Sequence, residues 1–148
     1  ARFNKAFEER LVGKTYLAIL AGHPQGTEGT IELSLSKISS AEKGWRMIPA
    51  KKGKPAVSHW ELVGELGPHS LIRFRPETGR THQLRVHALK GLGAPLLGDP
   101  VYGAGNAPGA KRTMLHAESL TVTRPGKTAI EARAPLPADF RALGASDG

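Results

Sequence analysis

Cysteine is absent, so the chain has neither a disulfide framework nor thiolate chemistry, and a reducing cytoplasm is the expected setting. No run of 18 apolar residues and no signal-peptide pattern occurs, which argues against membrane insertion or export. Acid is scarce. Asp+Glu 13 against Lys+Arg 21 leave a net charge of +8 and a pI near 10.1. That surplus favours a polyanionic partner, although a basic surface kept for solubility gives the same balance. The aspartates are Asp99, Asp139 and Asp147 alone. The one G-x-S-x-G match, Gly144 to Gly148, lies in the stretch read as a flexible tail and not on a strand-to-helix turn, so it gives no support to a serine-hydrolase elbow. Of six histidines, His82 and His87 stand five positions apart, on different faces of a helix and with no acidic residue between them. No metal site is therefore expected.

At 148 residues, with 39% hydrophobic and 23% charged side chains, the chain suits one soluble domain or part of a larger one. Its informative stretch runs from Arg73 to Gly103. Ser70, Ile72 and Phe74 alternate with Leu71, Arg73 and Arg75, a strand with one apolar and one largely basic face. Thr78-Gly79 marks a turn, and Thr81 is placed to cap a helix running to about Lys90. On that helix Leu84, Ala88, Leu89 and Leu92 define the buried side, and Arg85 falls among them. A guanidinium there needs a carboxylate or phosphate partner, because an unpaired buried charge costs several kcal/mol. Arg80, His82, Gln83, His87 and Lys90, together with Arg73 and Arg75 of the strand, are groups that suit phosphates and base edges. Arg80, Gln83, His87 and Lys90 are expected on the solvent side of the helix.

GRTHQLRVH followed by GAPLLGDPVYG resembles the signature of the RluA-like family of RNA pseudouridine synthases, an R-x-H-Q-[IL]-R-x-H helix and then a G-D-x-x-Y-G loop. The KTYLA stretch at Lys14, LHAESLTV and APLPADF resemble further parts of that pattern, so the likeness runs from about Phe3 to Phe140. The resemblance implies isomerisation of uridine in ribosomal or transfer RNA, with no cofactor. It implies that Tyr16 lies against the target base and that Arg85 pairs with an essential aspartate carried in an HRLD-like stretch. That aspartate has no counterpart here, and in the family it precedes the K-x-Y-x-A strand. The expectation is therefore a C-terminal part of a synthase domain, a truncated or processed product beginning at Ala1. It would lack the missing N-terminal part of the same domain and be inactive alone, with Arg85 unpaired, solvated or holding a stray anion. Asp99, before Pro100 in the loop, reads as structural. The alternative is a non-catalytic RNA-binding module.

The expected fold is α+β, a mixed and largely antiparallel sheet with helices packed on one face. Ala1 to Val12 reads as a helix and Lys14 to Ala21 as a buried strand. Gly29 to Leu35 reads as a half-buried strand and Pro55 to Val63 as another. Lys37 to Lys54 is a basic loop or hairpin, either gripping a phosphate backbone or simply solvated. Leu115 to Thr123 and Thr128 to Arg133 are two further strands. Residues 1-140 form the domain, and 141-148 read as a flexible tail.

Overall fold

The computed structural model describes residues 12–42, 44–123, 126 and 128–146. The helix expected from Ala1 lies outside the described residues, except that Val12 opens a strand. Eight strands follow among the described residues: β1 (Val12–Leu20), β2 (Glu28–Glu32), β3 (Leu35–Ser40), β4 (Gly44–Pro49), β5 (Val57–Leu66), β6 (His69–Pro76), β7 (Leu115–Val122) and β8 (Ile130–Arg133). Helix α1 (Gln83–Val86) runs directly into a π-helical turn (His87–Gly91), and α2 (Ala138–Ala142) closes the chain. One sheet has the order β2-β5-β6-β1-β7-β8, and β3-β4 is a separate hairpin. Every pairing is antiparallel. The fold is thus α+β. Among the described residues no helix is long and apolar enough to cross a membrane.

β1 sits inside the sheet between β6 and β7, which explains why its sequence is apolar almost throughout rather than alternating. Leu17 and Ile19 face one side with Leu71, Met114 and Phe140, and α2 covers that side. Ala18 and Leu20 face the other with Ile72, Phe74 and Trp60, where Leu84 and Ala88 of the α1 segment pack. The helices expected on one face are therefore divided between two, because a strand apolar on both sides needs both covered.

Two element boundaries also differ from expectation. The strand expected from Gly29 to Leu35 is broken. Its ladder with β5 ends at Glu32↔Val57, just before Pro55 removes a backbone donor from the partner, and Leu35 starts the hairpin. The tail expected from Arg141 is instead the end of α2, followed by Ala145 in the core at 7% exposure.

Between Thr15↔Ser119 and Tyr16↔Ala117 the register skips Glu118. This β-bulge re-aims Glu118. Its carboxylate takes both Nε and Nη2 of Arg73 at 3.0 Å and the Thr15 hydroxyl at 3.0 Å.

Candidate functional site

A cavity of about 310 Å³ opens between β1 and the turn leading into α1, walled by Lys14, Tyr16, Arg80, His82, Leu84 and Arg85 among others. It has cationic walls, and no carboxylate lines it. Tyr16 reaches it because strand alternation puts it on the Ala18 face, beside its register partner Phe74. Partial burial raises the pKa of its phenol, which keeps the proton at neutral pH.

Arg85 is not unpaired. Its Nε and Nη2 donate to Asp99 Oδ2 and Oδ1 at 2.9 and 2.8 Å, a bidentate fork, and Asp99 is wholly enclosed. The expectation of a solvated or anion-bound guanidinium fails because the G-D-x-x-Y-G loop folds back under α1. Asp99 Oδ1 also accepts the N–H groups of Val101 and Tyr102, so the loop that presents the carboxylate is tied to it. Burial would push the Asp99 carboxyl up, but these hydrogen bonds and the charge of Arg85 outweigh it and hold the group below the usual range. Hydrogen bonding to Asp99 raises Arg85 in turn, against a smaller opposing effect of burial. Nη1 of Arg85 makes no hydrogen bond among the described residues, and the guanidinium lies 5.2 Å from the centre of the Tyr102 ring.

Tyr102 links three segments. Its hydroxyl accepts the Met47 N–H of the hairpin at 2.9 Å and lies 2.8 Å from His82 Nδ1. His82 is the N-cap of α1 in place of Thr81, which is exposed. It has φ 53 and makes no side-chain cap hydrogen bond. Trp45 of the hairpin stacks on its ring at 4.8 Å, with Lys37 Nζ over the indole at 4.9 Å.

The solvent side expected of the helix is only partly there. Gln83 is 4% exposed and His87 is fully buried. The wider π turn rotates His87 inward, where Nδ1 meets the Ser58 hydroxyl at 2.9 Å and Nε2 meets the Leu33 carbonyl at 3.1 Å. Burial lowers its pKa, partly offset by the Leu33 contact. Gln83 gives its amide N–H groups to Val57 O and Ser58 Oγ and receives the Thr78 hydroxyl and the Arg80 N–H. Both are turned to the core, so neither presents a free polar edge to RNA. Arg73 and Arg75 are also not with the cleft: Arg73 is the register partner of Leu17, on the opposite side of the sheet from Tyr16. Arg73 pairs with Glu118 and Glu61, and Arg75 with Glu61. Lys90 is exposed. Arg80 lines the cleft and donates Nε to Pro55 O at 2.7 Å.

Arg80 and Gly79 also line a second depression of about 440 Å³, with Lys37, Lys52 and Lys54 along it and again no carboxylate. The two cavities therefore form one basic track. Sequence reasoning missed Trp45 as a neighbour of this site and Asp99 as the partner of Arg85. The signal for the second was the long G-D-x-x-Y-G motif following an apolar helix that carries an arginine.

A family model described as RNA pseudouridylate synthase matches residues 1–90. An uncharacterised RNA pseudouridine synthase of Zymomonas mobilis is 52% identical over 143 residues, covering 97% of this chain and 65% of that protein. The dual-specificity RNA pseudouridine synthase RluA of Escherichia coli is 40% identical over 128 residues, covering 82% of this chain and 55% of that protein. Among solved structures, human RNA pseudouridylate synthase domain containing 1 superposes with a TM-score of 0.71 at 34% identity, over 90% of this chain and 58% of that one. The chain thus spans just under two thirds of the Zymomonas relative and little more than half of the other two.

Proposed function

This chain belongs to the RNA pseudouridylate synthase family, and we propose that its cleft holds a uridine of structured ribosomal or transfer RNA, in the cytoplasm, for isomerisation to pseudouridine. In that reaction the bond from ribose C1′ to uracil N1 breaks, the base turns, and C1′ joins C5, whose hydrogen leaves as N1 gains a proton. The uridine has to leave its stack to be handled. The observation that carries the reading is a cavity lined by both Tyr16 and Arg85 with cations around it and no carboxylate in its wall.

Each side chain has a task. Tyr16, protonated, packs its ring on the base. The basic track through Arg80 to Lys37, Lys52 and Lys54 carries the flanking phosphates. Arg85, fixed from behind by Asp99, offers Nη1 to the cleft side. An acid is still needed there, and Asp99 does not supply it, since it is enclosed and committed to Arg85 and two N–H groups. The acid is supplied by the family's HRLD-like segment, from outside these 148 residues, and meets Arg85 through Nη1. Binding and positioning do not replace the group that starts glycosidic cleavage.

The test is release of tritium from RNA labelled at C5 of uracil. None is expected from the 148-residue chain alone. Release is expected when an HRLD-bearing segment is supplied in cis or as a complementing fragment. Release by the isolated chain at an enzymatic rate would overturn the external acid and return attention to Asp99 and Asp139.

A further inference from the structure

His82 is the one non-glycine residue with positive φ among the described residues. Left-handed backbone at such a residue costs free energy and persists where the surroundings enforce it. Here two contacts do so: Trp45 stacks on one face of the ring, and Tyr102 meets Nδ1. The Tyr102 hydroxyl, buried at 7% exposure, already accepts the Met47 N–H, and no acceptor for its own hydrogen other than His82 Nδ1 is in reach among the described residues. A buried hydroxyl hydrogen without an acceptor is costly. The satisfied arrangement has Tyr102 O–H donating to Nδ1, which leaves the ring proton on Nε2. Nε2 makes no hydrogen bond among the described residues, although His82 lines the cleft and Tyr102 does not.

We propose that Tyr102 positions His82 with its proton on Nε2, and that this N–H donates to an oxygen acceptor of the nucleotide in the cleft, either a uracil carbonyl or a phosphate oxygen. The inference rests on the RNA reading given above. Partial burial and the charge of Arg85 lower the pKa of His82, with Asp99 opposing, so the ring stays an uncharged donor at neutral pH. His82 therefore adds direction to the site, where its cationic neighbours add attraction.

The test is nitrogen-detected NMR of the 148-residue chain labelled at histidine. The free chain is expected to show His82 with Nδ1 unprotonated and Nε2 protonated. Tyr102→Phe is expected to yield a mixture of tautomers and to weaken binding of a uridine-containing RNA decamer by about fivefold. A purely structural role for Tyr102 would leave the tautomer unchanged. His82→Asn keeps a residue tolerant of left-handed backbone and is expected to weaken binding to a similar degree. On adding the decamer, the Nε2 signal should move. If the same decamer with an abasic site also moves it, the acceptor is a phosphate oxygen; movement with the intact RNA alone assigns a uracil carbonyl. An Nδ1-protonated ring in the free chain overturns the proposal, whatever the variants do. So does RNA binding that shifts other signals while Nε2 stays still. A chain in which no signal responds to RNA overturns the RNA reading itself, and this inference with it.

Discussion

Asp99 gives both carboxylate oxygens to Arg85 from a fully enclosed position, whereas Arg85 keeps 18% of its side chain open. The pair is asymmetric, so the two ways of breaking it differ. Arg85→Met leaves an enclosed carboxylate with only two backbone donors, and is expected to cost about 3–5 kcal/mol. Asp99→Asn keeps an acceptor for the Val101 and Tyr102 N–H groups and leaves a guanidinium that water reaches, so about 1–3 kcal/mol is expected. Urea unfolding of the two variants checks the order, and a reversed order would show that Arg85 is not what stabilises the Asp99 charge.

Stability should fall on the acid side. Asp99 is held low as described, and Glu118 is lowered first by hydrogen bonds from Arg73, against burial, with help from Thr15. A carboxyl with a depressed folded pKa binds fewer protons folded than unfolded between its two pKa values, so stability rises with pH across that window. The contribution is complete above the unfolded values, about 3.9 for Asp and 4.3 for Glu, and is lost as pH falls through the folded ones. Unfolding free energy measured from about pH 5 downward should drop, and less steeply in Arg73→Gln. An equal slope in that variant would remove Glu118 from the account.

RNA binding should weaken steeply with salt. Lys52 and Lys54 are exposed along the basic track. Replacing both with Ala should reduce the slope of log K against log salt by about 1–2, at roughly 0.7–0.9 per phosphate contact. An unchanged slope would take the track out of the RNA path.

Gly98 precedes Asp99 with φ 81, and a Cβ built there would sit 2.0 Å from the Arg112 carbonyl oxygen. Left-handed conformation and a backbone clash act together, so Gly98→Ala should destabilise by more than about 2 kcal/mol and displace Asp99 from Arg85. A thermal melt matching the parent chain would show that the loop relaxes without cost.

The strands were legible because their patterning is local: Ser58 and Trp60 of β5 are both buried, as is Ala56 just before it, at the two-residue spacing of one strand face. The helix was less so. A 3.6-residue period places Gln83 and His87 outward, but α1 has only four residues before the π turn adds a residue to the repeat. Nothing in His87 itself signals a partner at Ser58. Arg85 was legible as needing an anion but not as meeting Asp99, since that contact depends on a loop reversing over 14 residues. Arg73 was misread for the opposite reason, because its acid, Glu118, arrives from a strand far along the chain through a bulge.

The strand order carries a kinetic consequence. β1 is synthesised well before both of its neighbours, and the Thr15–Glu118 contact spans 103 residues. Contacts of such long sequence separation slow folding, because the loop must close before they form. On the ribosome, Tyr16 and the apolar run after it wait with unpaired edges until β6 and then β7 emerge. During that interval the nascent chain presents a sticky strand of the kind chaperones shield. The cleft has one wall on β1 and another on the segment after β6, so it takes shape late, as that waiting strand is enclosed.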